Sequence, residues 1–261
     1  MEGHERSTDG RARVRLTILG EDREVAVPEP PGKARLADLL PVSRAISDEA
    51  TSMAVERERA EGRTPSCREG CAACCRQLVP ISVVEARAIA ETVEALPDAR
   101  RKATRERFAE AVAKLEALGL LDAREGPGRA TLRAAGTTSD RKAAWAEVVA
   151  RYFSAKIPCP LLEDERCSLY EQRPLVCREY LVTSAPELCA KLGAARVVPR
   201  PLPGSEALAT AARELLDEGW PLLPLPLALE WSGAEGAKLD LETEGENLLN
   251  HLLAAAEELG G

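Results

Sequence analysis

Four of the chain's eight cysteines fall within nine residues, as Cys67-x3-Cys71-x2-Cys74-Cys75, and the other four, Cys159, Cys167, Cys177 and Cys189, form a second group far downstream. No cysteine lies in 1–66, in 76–158 or beyond 189. A Cys-x2-Cys pair lets two thiolates turn toward one ion, and Cys67, Cys71 and Cys75 would share one side of a helix if the segment formed one. Reduced cysteine is also a small hydrophobe, so a cysteine stripe can be mere core packing. Here Arg68, Glu69, Gly70 and Arg76 make the segment too polar and loop-like for that, and the second group points to a shared site.

In the second group Glu163-Asp164-Glu165 reads as a tight reversal that brings Cys159 and Cys167 together. Arg173-Pro174 reads as the start of a short helix with Cys177 in its first turn, where the helix dipole and free N–H groups favour a thiolate. Ser184-x-x-Glu187, with Pro186 between, predicts a capped short helix carrying Cys189. Each downstream cysteine thus sits at an element boundary.

Histidine occurs only at His4 and His251, so a mixed Cys/His site has no evident nitrogen donors. All eight cysteines are therefore the candidate ligands, and soft sulfur selects zinc, copper(I) or iron–sulfur clusters over magnesium or calcium. They suit two tetrahedral sites, one four-cysteine site with spare thiols, or a polynuclear site with bridging sulfur. Adjacent residues rarely reach one ion comfortably, so Cys74 and Cys75 favour two centres or a bridged one. Arg68, Arg76, Arg166, Arg173 and Arg178, close to cysteines in sequence, are candidates to offset thiolate charge or hydrogen-bond to sulfur, or else plain surface charges.

A net charge of −8 argues against general nucleic-acid binding, which needs a basic face. The arginine run Arg100, Arg101, Lys102, Arg105, Arg107 reads as a solvated helix face. The N-terminus has no secretory pattern and no stretch is apolar enough for a membrane span, so the expected compartment is the cytoplasm. There thiols stay reduced and serve as ligands or catalysts, whereas four disulfides would be the account for an exported chain.

Apolar residues make up 45% of the chain and aromatics only 3%, so Leu, Ala and Val must fill the core, and the expected fold is mostly α. Alternation over 13–27, with a turn at Gly20-Glu21-Asp22, predicts an N-terminal β-hairpin. A helix follows from Leu36 or Ser43 to Ala60, stopped by Gly62. Ser82-x-x-Glu85 is a capping box opening a helix with Ala86, Ile89, Ala90, Val93 and Leu96 on one stripe. After Pro97 a second helix runs to Leu118 with Phe108, Ala111, Val112 and Leu115 inward, ending at Gly119. Residues 122–138 read as a loop. Trp145, Val148, Val149, Tyr152 and Phe153 form a core-facing stripe on a helix that Ile157-Pro158 ends. Helices near 205–218 and over Leu248 to Leu259 follow. The expected organisation is a hairpin plus helix in 1–62, a cysteine-cluster metal-centred domain in 63–200 and helices in 201–261, or one compact unit of all three.

Taken together, Cys67-Arg-Glu-Gly-Cys71-Ala-Ala-Cys74-Cys75, Ile157-Pro-Cys159-Pro-Leu-Leu and Cys167-Ser-Leu-Tyr-Glu-Gln-Arg-Pro-Leu-Val-Cys177-Arg resemble the bacterial YkgJ-type cysteine-cluster family of zinc- or iron-chelating domains. The resemblance covers about 66–189 and implies metal binding by the motif cysteines, with no settled reaction. Flagellin lysine methylases are similar in cysteine signature, which implies an iron–sulfur cluster, such as 4Fe-4S, acting on a partner protein. Gly126-Pro-Gly128 lacks a preceding strand and reads as loop rather than a methyl-donor site. The expectation is a metal-binding protein holding zinc, iron or an iron–sulfur cluster, without nucleic-acid or membrane partners. The alternatives are an iron–sulfur enzyme or electron carrier, and a thiol redox switch using Cys71 and Cys74.

Overall fold

The computed structural model describes residues 5–6, 10–121, 128–129, 132, 141–216 and 222–260. The expectations for His4, Gly126, Trp220, most of the 122–138 loop and the end of the helix near 205–218 lie outside them. Strand β1 (Glu5–Arg6) pairs with β2 (Arg11–Ile18), which pairs antiparallel with β3 (Glu21–Pro28). Ala12, Val14, Leu16 and Ile18 alternate inward, as period-two patterning requires. The reversal falls at Leu19-Gly20, one step before the expected turn, with φ of 56° and 78°. Two positive-φ residues make the kind of two-residue turn whose twist matches the strands, so Glu21 and Asp22 are free to join β3.

After β4 (Lys33–Ala34) comes α1 (Leu39–Ala60), preceded by one 3-10 turn, and its buried Leu39, Val42, Ile46 and Ala50 pack it against β3. Strand β5 (Pro80–Ser82) leads into α2 (Val83–Glu94) through the predicted capping box, with Ser82 and Glu85 exchanging both bonds. Helix α3 (Asp98–Ala117) buries Phe108, Ala111 and Leu115, and Gly119 (φ 64°) follows as the stop. Helix α4 (Arg141–Ala155) buries Val148 and Tyr152 but leaves Trp145 48% exposed. The stripe is therefore core only toward its C-terminal end: periodicity shows which face a side chain shares, not how far along the helix a partner extends.

Within the cysteine segment lie β6 (Leu162–Glu163), β7 (Arg166–Cys167) and α5 (Leu175–Glu179), and beyond it α6 (Gly204–Leu216), β8 (Leu222–Pro224), α7 (Ala228–Glu235), β9 (Thr243–Glu244) and α8 (Gly245–Gly260). Among the described residues the fold is mostly α, as expected. Two long-range pairings matter for the site. Strand β9 pairs with β4, closing the C-terminal part onto the N-terminal part. Strand β8 pairs with β5, which carries Leu225 to within a backbone hydrogen bond of Val79 (2.9 Å), just beyond the first cysteine group. One continuous buried cluster joins Val14 and Ile18, Ile46, Ile157, Leu161, Leu175, Leu208 and Leu252. No helix among the described residues is long and apolar enough to cross a membrane.

Candidate metal centre

Residues 67–78 form no helix but a succession of tight turns, closed by bonds from Cys71 N–H to the Arg68 carbonyl (3.1 Å), Cys75 to Ala72 (3.0 Å) and Gln77 to Cys74 (2.9 Å). The helical stripe of Cys67, Cys71 and Cys75 is thus not what forms. Gly70 at φ 80° shows why: a left-handed residue stops any helix there. The turns set all four cysteines along one cavity instead.

Helix α4 ends at Ala155, and buried Ile157 and Leu161 anchor Cys159 between them. Leu162–Glu163 (β6) and Arg166–Cys167 (β7) then pair across Asp164 and Glu165, both at positive φ (49° and 56°). This is the predicted reversal. Pro174 starts α5 (Leu175–Glu179) with Cys177 in its first turn, also as predicted. The cap on the Cys189 segment differs. Ala185, not Ser184, precedes the short 3-10 helix Pro186–Ala190, and the Ser184 hydroxyl instead accepts from Arg196 N–H (3.0 Å). Pro186 has no N–H to offer a cap, so the hydroxyl is free for the neighbouring strand-like segment.

Two clasps bring the groups together. At one end Ser66 N–H donates to the Val182 carbonyl (2.9 Å), the Ser66 hydroxyl to the Ser184 carbonyl (2.6 Å), and Val182 N–H to Cys67 Sγ (3.4 Å). At the other, Cys159 N–H donates to the Cys75 carbonyl (2.7 Å), and Arg76 makes a fork on Glu165 (2.6 and 3.1 Å). Gln77 reaches the Cys189 carbonyl (2.9 Å). As a result Cys67, Cys71, Cys74, Cys75, Cys159, Cys167 and Cys177 line a single cavity of about 170 Å³. Its apolar wall includes Leu78, Val79, Val176 and Leu225. Cys189 is buried and does not line that cavity, but lies within electrostatic reach of Cys74, Cys67 and Cys71.

Burial dominates the electrostatics. It pushes the Cys159 thiol up to about 12 and Cys189 up to about 11, in each case with neighbouring thiols adding to the effect. Cys67 and Cys167 are also raised by burial, and Cys74 is raised first by a hydrogen bond with the Cys75 thiol and then by burial. Cys177 is raised well above the ordinary value, so its place in the first turn of α5 does not make it a thiolate: with burial and three neighbouring thiols against it, a five-residue helix offers too small a dipole. Near the sulfurs, Arg107 lowers Cys159 and Arg173 lowers Cys167, in both cases against the larger effect of burial.

Arg107 was expected on a solvated face, but its guanidinium donates to the Pro160 carbonyl (2.9 Å), and Arg100 meets Glu163 (3.1 Å), so this face of α3 backs the second cysteine group. Arg178 binds Asp48 (3.2 Å) and the Glu171 carbonyl (2.8 Å), and Arg173 lies 4.1 Å over the Tyr170 ring while donating to the Tyr170 carbonyl. These arginines, like Arg76, brace the frame. Sequence reasoning found Glu85 only as a cap. Its buried carboxylate also accepts from Leu175 N–H (2.7 Å), fixing the start of α5 and hence Cys177. That second partner lies 90 positions away, with no local signal.

Among the described residues, no three Cys, His, Asp or Glu side chains meet at the spacing one ion requires. The donor set itself is all sulfur, buried and backed by two guanidinium groups, which fits a thiophilic ion or cluster. A thiol must lose its proton to ligate a metal, so any metal affinity of this set would rise with pH. The metal-free fold has the opposite dependence. Thiol pKa values raised in the fold favour the folded state below about 8.5, where both states are neutral, and this advantage is lost as pH climbs toward about 12 and the unfolded chain ionises first. Urea titrations of the reduced, chelator-treated chain should therefore show a midpoint that falls between about pH 8.5 and 10.5; a rising midpoint would contradict the burial described.

The fold defines an α-rich chain in which seven cysteines line one cavity. Residues 66–192, just under half of the chain, match the family model CxxCxxCC, described as "Putative zinc- or iron-chelating domain", the cysteine-cluster family that the motifs resemble. Neither a curated protein nor a solved structure matches the chain.

Proposed function

We propose that this chain is a metal-binding protein that holds zinc, iron or an iron–sulfur cluster through cysteine alone, in a reducing compartment such as the cytoplasm. The observation that carries this reading is the convergence of both cysteine groups on one cavity, with Cys74 within electrostatic reach of Cys67, Cys159, Cys167, Cys177 and Cys189. Cys67, Cys71, Cys74, Cys75, Cys159, Cys167, Cys177 and Cys189 are the ligand pool. Arg107 and Arg173 offset part of the thiolate charge, and Arg76 and Glu85 keep the two groups in register. A bound centre supplies a covalent-strength cross-link between the segments and, if it is iron–sulfur, one-electron chemistry.

The test is purification of the full chain without oxygen, followed by metal and acid-labile sulfide analysis and a visible spectrum. Zinc in a colourless protein, or iron with sulfide in a brown one, supports the reading and selects between its forms. A metal-free protein that cycles reversibly between a Cys71–Cys74 disulfide and thiols would replace it with a redox switch.

A further inference from the structure

The cavity lined by seven cysteines has a second chemical side. Among the described residues, the charged side chains that line it are Arg68 and Arg173, with no carboxylate, in a chain that has 43 acidic residues against 35 basic ones. Other arginines near the site are matched by carboxylates: Arg76 by Glu165, Arg100 by Glu163 and Arg178 by Asp48. Arg107 does not line the cavity, and its guanidinium is engaged by the Pro160 carbonyl (2.9 Å) and the Thr104 hydroxyl (2.9 Å). Arg68 and Arg173 have no acidic partner among the described residues.

Arg173 is held as a fixed fork. Its guanidinium carbon lies 4.1 Å over the Tyr170 ring, and one terminal nitrogen donates to the Tyr170 carbonyl (2.8 Å). Stacking sets the guanidinium plane, and a guanidinium carries five N–H donors, so those that remain lie in a set plane suited to a planar acceptor such as a carboxylate. Arg68 lines the same cavity from an exposed position, and Val176 and Leu225 belong to its apolar wall. At about 170 Å³ the cavity is comparable with the ~150 Å³ void that takes up benzene in an engineered protein, and below the ~300–1,000 Å³ of sites for drug-sized ligands. A tetrahedral ion, ~2.3 Å from each of its sulfurs, would leave part of such a volume over.

We propose that this cavity also binds a small monocarboxylate with an apolar body, its carboxylate on Arg173 and its body against the wall of Val176 and Leu225. The proposal goes beyond the metal-binding reading and holds whichever ion the sulfurs carry. A carboxylate accepts two parallel bonds from one guanidinium, which makes Arg173 selective for it, and Arg68 adds positive charge that draws the anion in. Removal of the apolar body from water supplies the rest of the affinity. Offsetting thiolate charge needs only a nearby cation, a role that Arg107 fills from outside the lining. A stacked fork with no carboxylate partner, on the cavity wall itself, is more than that role requires.

The probe is benzoate, titrated calorimetrically into the full reduced chain as purified without oxygen, with its metal content measured in parallel. Benzoate should bind saturably, one per chain. Benzyl alcohol, which keeps the ring and lacks the charge, and acetate, which keeps the charge and lacks the ring, should each bind at least about tenfold more weakly. Arg173→Gln should weaken benzoate by about tenfold or more, and Arg173→Lys, which keeps the charge without the fork, should restore only part of that loss. Arg68→Gln, at an exposed position with no ion pair to break, should cost a smaller factor that shrinks as salt is added. Circular dichroism checks the fold of each variant. Absence of saturable benzoate binding, equal binding of benzyl alcohol, or unchanged affinity in a folded Arg173→Gln protein overturns the proposal. Should that variant misfold, unchanged affinity in Arg68→Gln overturns it instead. A metal-loaded chain that ignores benzoate sinks the proposal and leaves the metal-binding reading standing, whereas a metal-free chain that binds it does the reverse.

Discussion

Cys74→Ser is expected to strip the chain of most of its metal and to unfold the 66–189 region, the largest effect of any single substitution. Cys74 lies within electrostatic reach of Cys67, Cys159, Cys167, Cys177 and Cys189, and it hydrogen-bonds the Cys75 thiol. Serine keeps the volume but supplies a hard, poorly coordinating oxygen. The segment 66–78 has no helix or strand to hold it, only turns, two clasps and its sulfurs. Structural thiolate zinc contributes on the order of 10–16 kcal/mol in peptide systems, against a total stability of about 5–15 kcal/mol for a typical domain. Losing one ligand of such a centre would therefore exceed what the surrounding packing can absorb. Metal analysis and limited proteolysis check this: a Cys74→Ser protein with full metal content and a protected 66–78 segment would show that Cys74 is not a ligand.

Glu85→Ala should lower stability by about 3 kcal/mol, since it leaves two buried N–H donors, of Ser82 and Leu175, and the Ser82 hydroxyl without their partner. For a chain of this size that is a fall of roughly 2–4 °C in midpoint per kcal/mol. The effect on the site should exceed the effect on the helix. Freed of its anchor, the first turn of α5 moves, and Cys177 with it, so metal affinity should drop even where the protein remains folded. Glu85→Gln separates the two roles, because its amide oxygen can still accept from Leu175 while its NH2 faces the donors of Ser82. It should keep most metal affinity and lose part of the stability. Equal loss of affinity in the two variants would show that Cys177 is positioned by something other than this carboxylate.

The legible part of the structure was what short-range physics determines. The alternation in Arg11–Ile18, the Ser82–Glu85 box, the reversal at Asp164-Glu165 and the start of α5 after Pro174 are all set by residues within a few positions of one another. The two cysteine groups likewise pointed to a shared place, and seven of the eight line one cavity. What the sequence left hidden depends on distance along the chain. Helix α7 and the β5–β8 pairing lie in a Leu/Pro segment whose partners are some 140 positions upstream, as in Ser82 against Leu222. Arg107 looked like one more surface charge because nothing near it in sequence reports that Pro160 lies opposite. The ionisation that the start of α5 favours at Cys177 is opposed by burial and by three thiols that come from elsewhere in the chain, and only the local helix terminus was visible in the sequence.

The pairing of β5 with β8 also imposes an order in time. Leu225, which closes one wall of the sulfur cavity, is synthesised after every cysteine in the chain. On a ribosome the thiols therefore emerge first, and they stay uncovered until residues past 225 have cleared the exit tunnel and the late strand can dock. The nascent chain therefore exposes its thiols more fully than the mature fold, in which seven of the eight remain partly exposed.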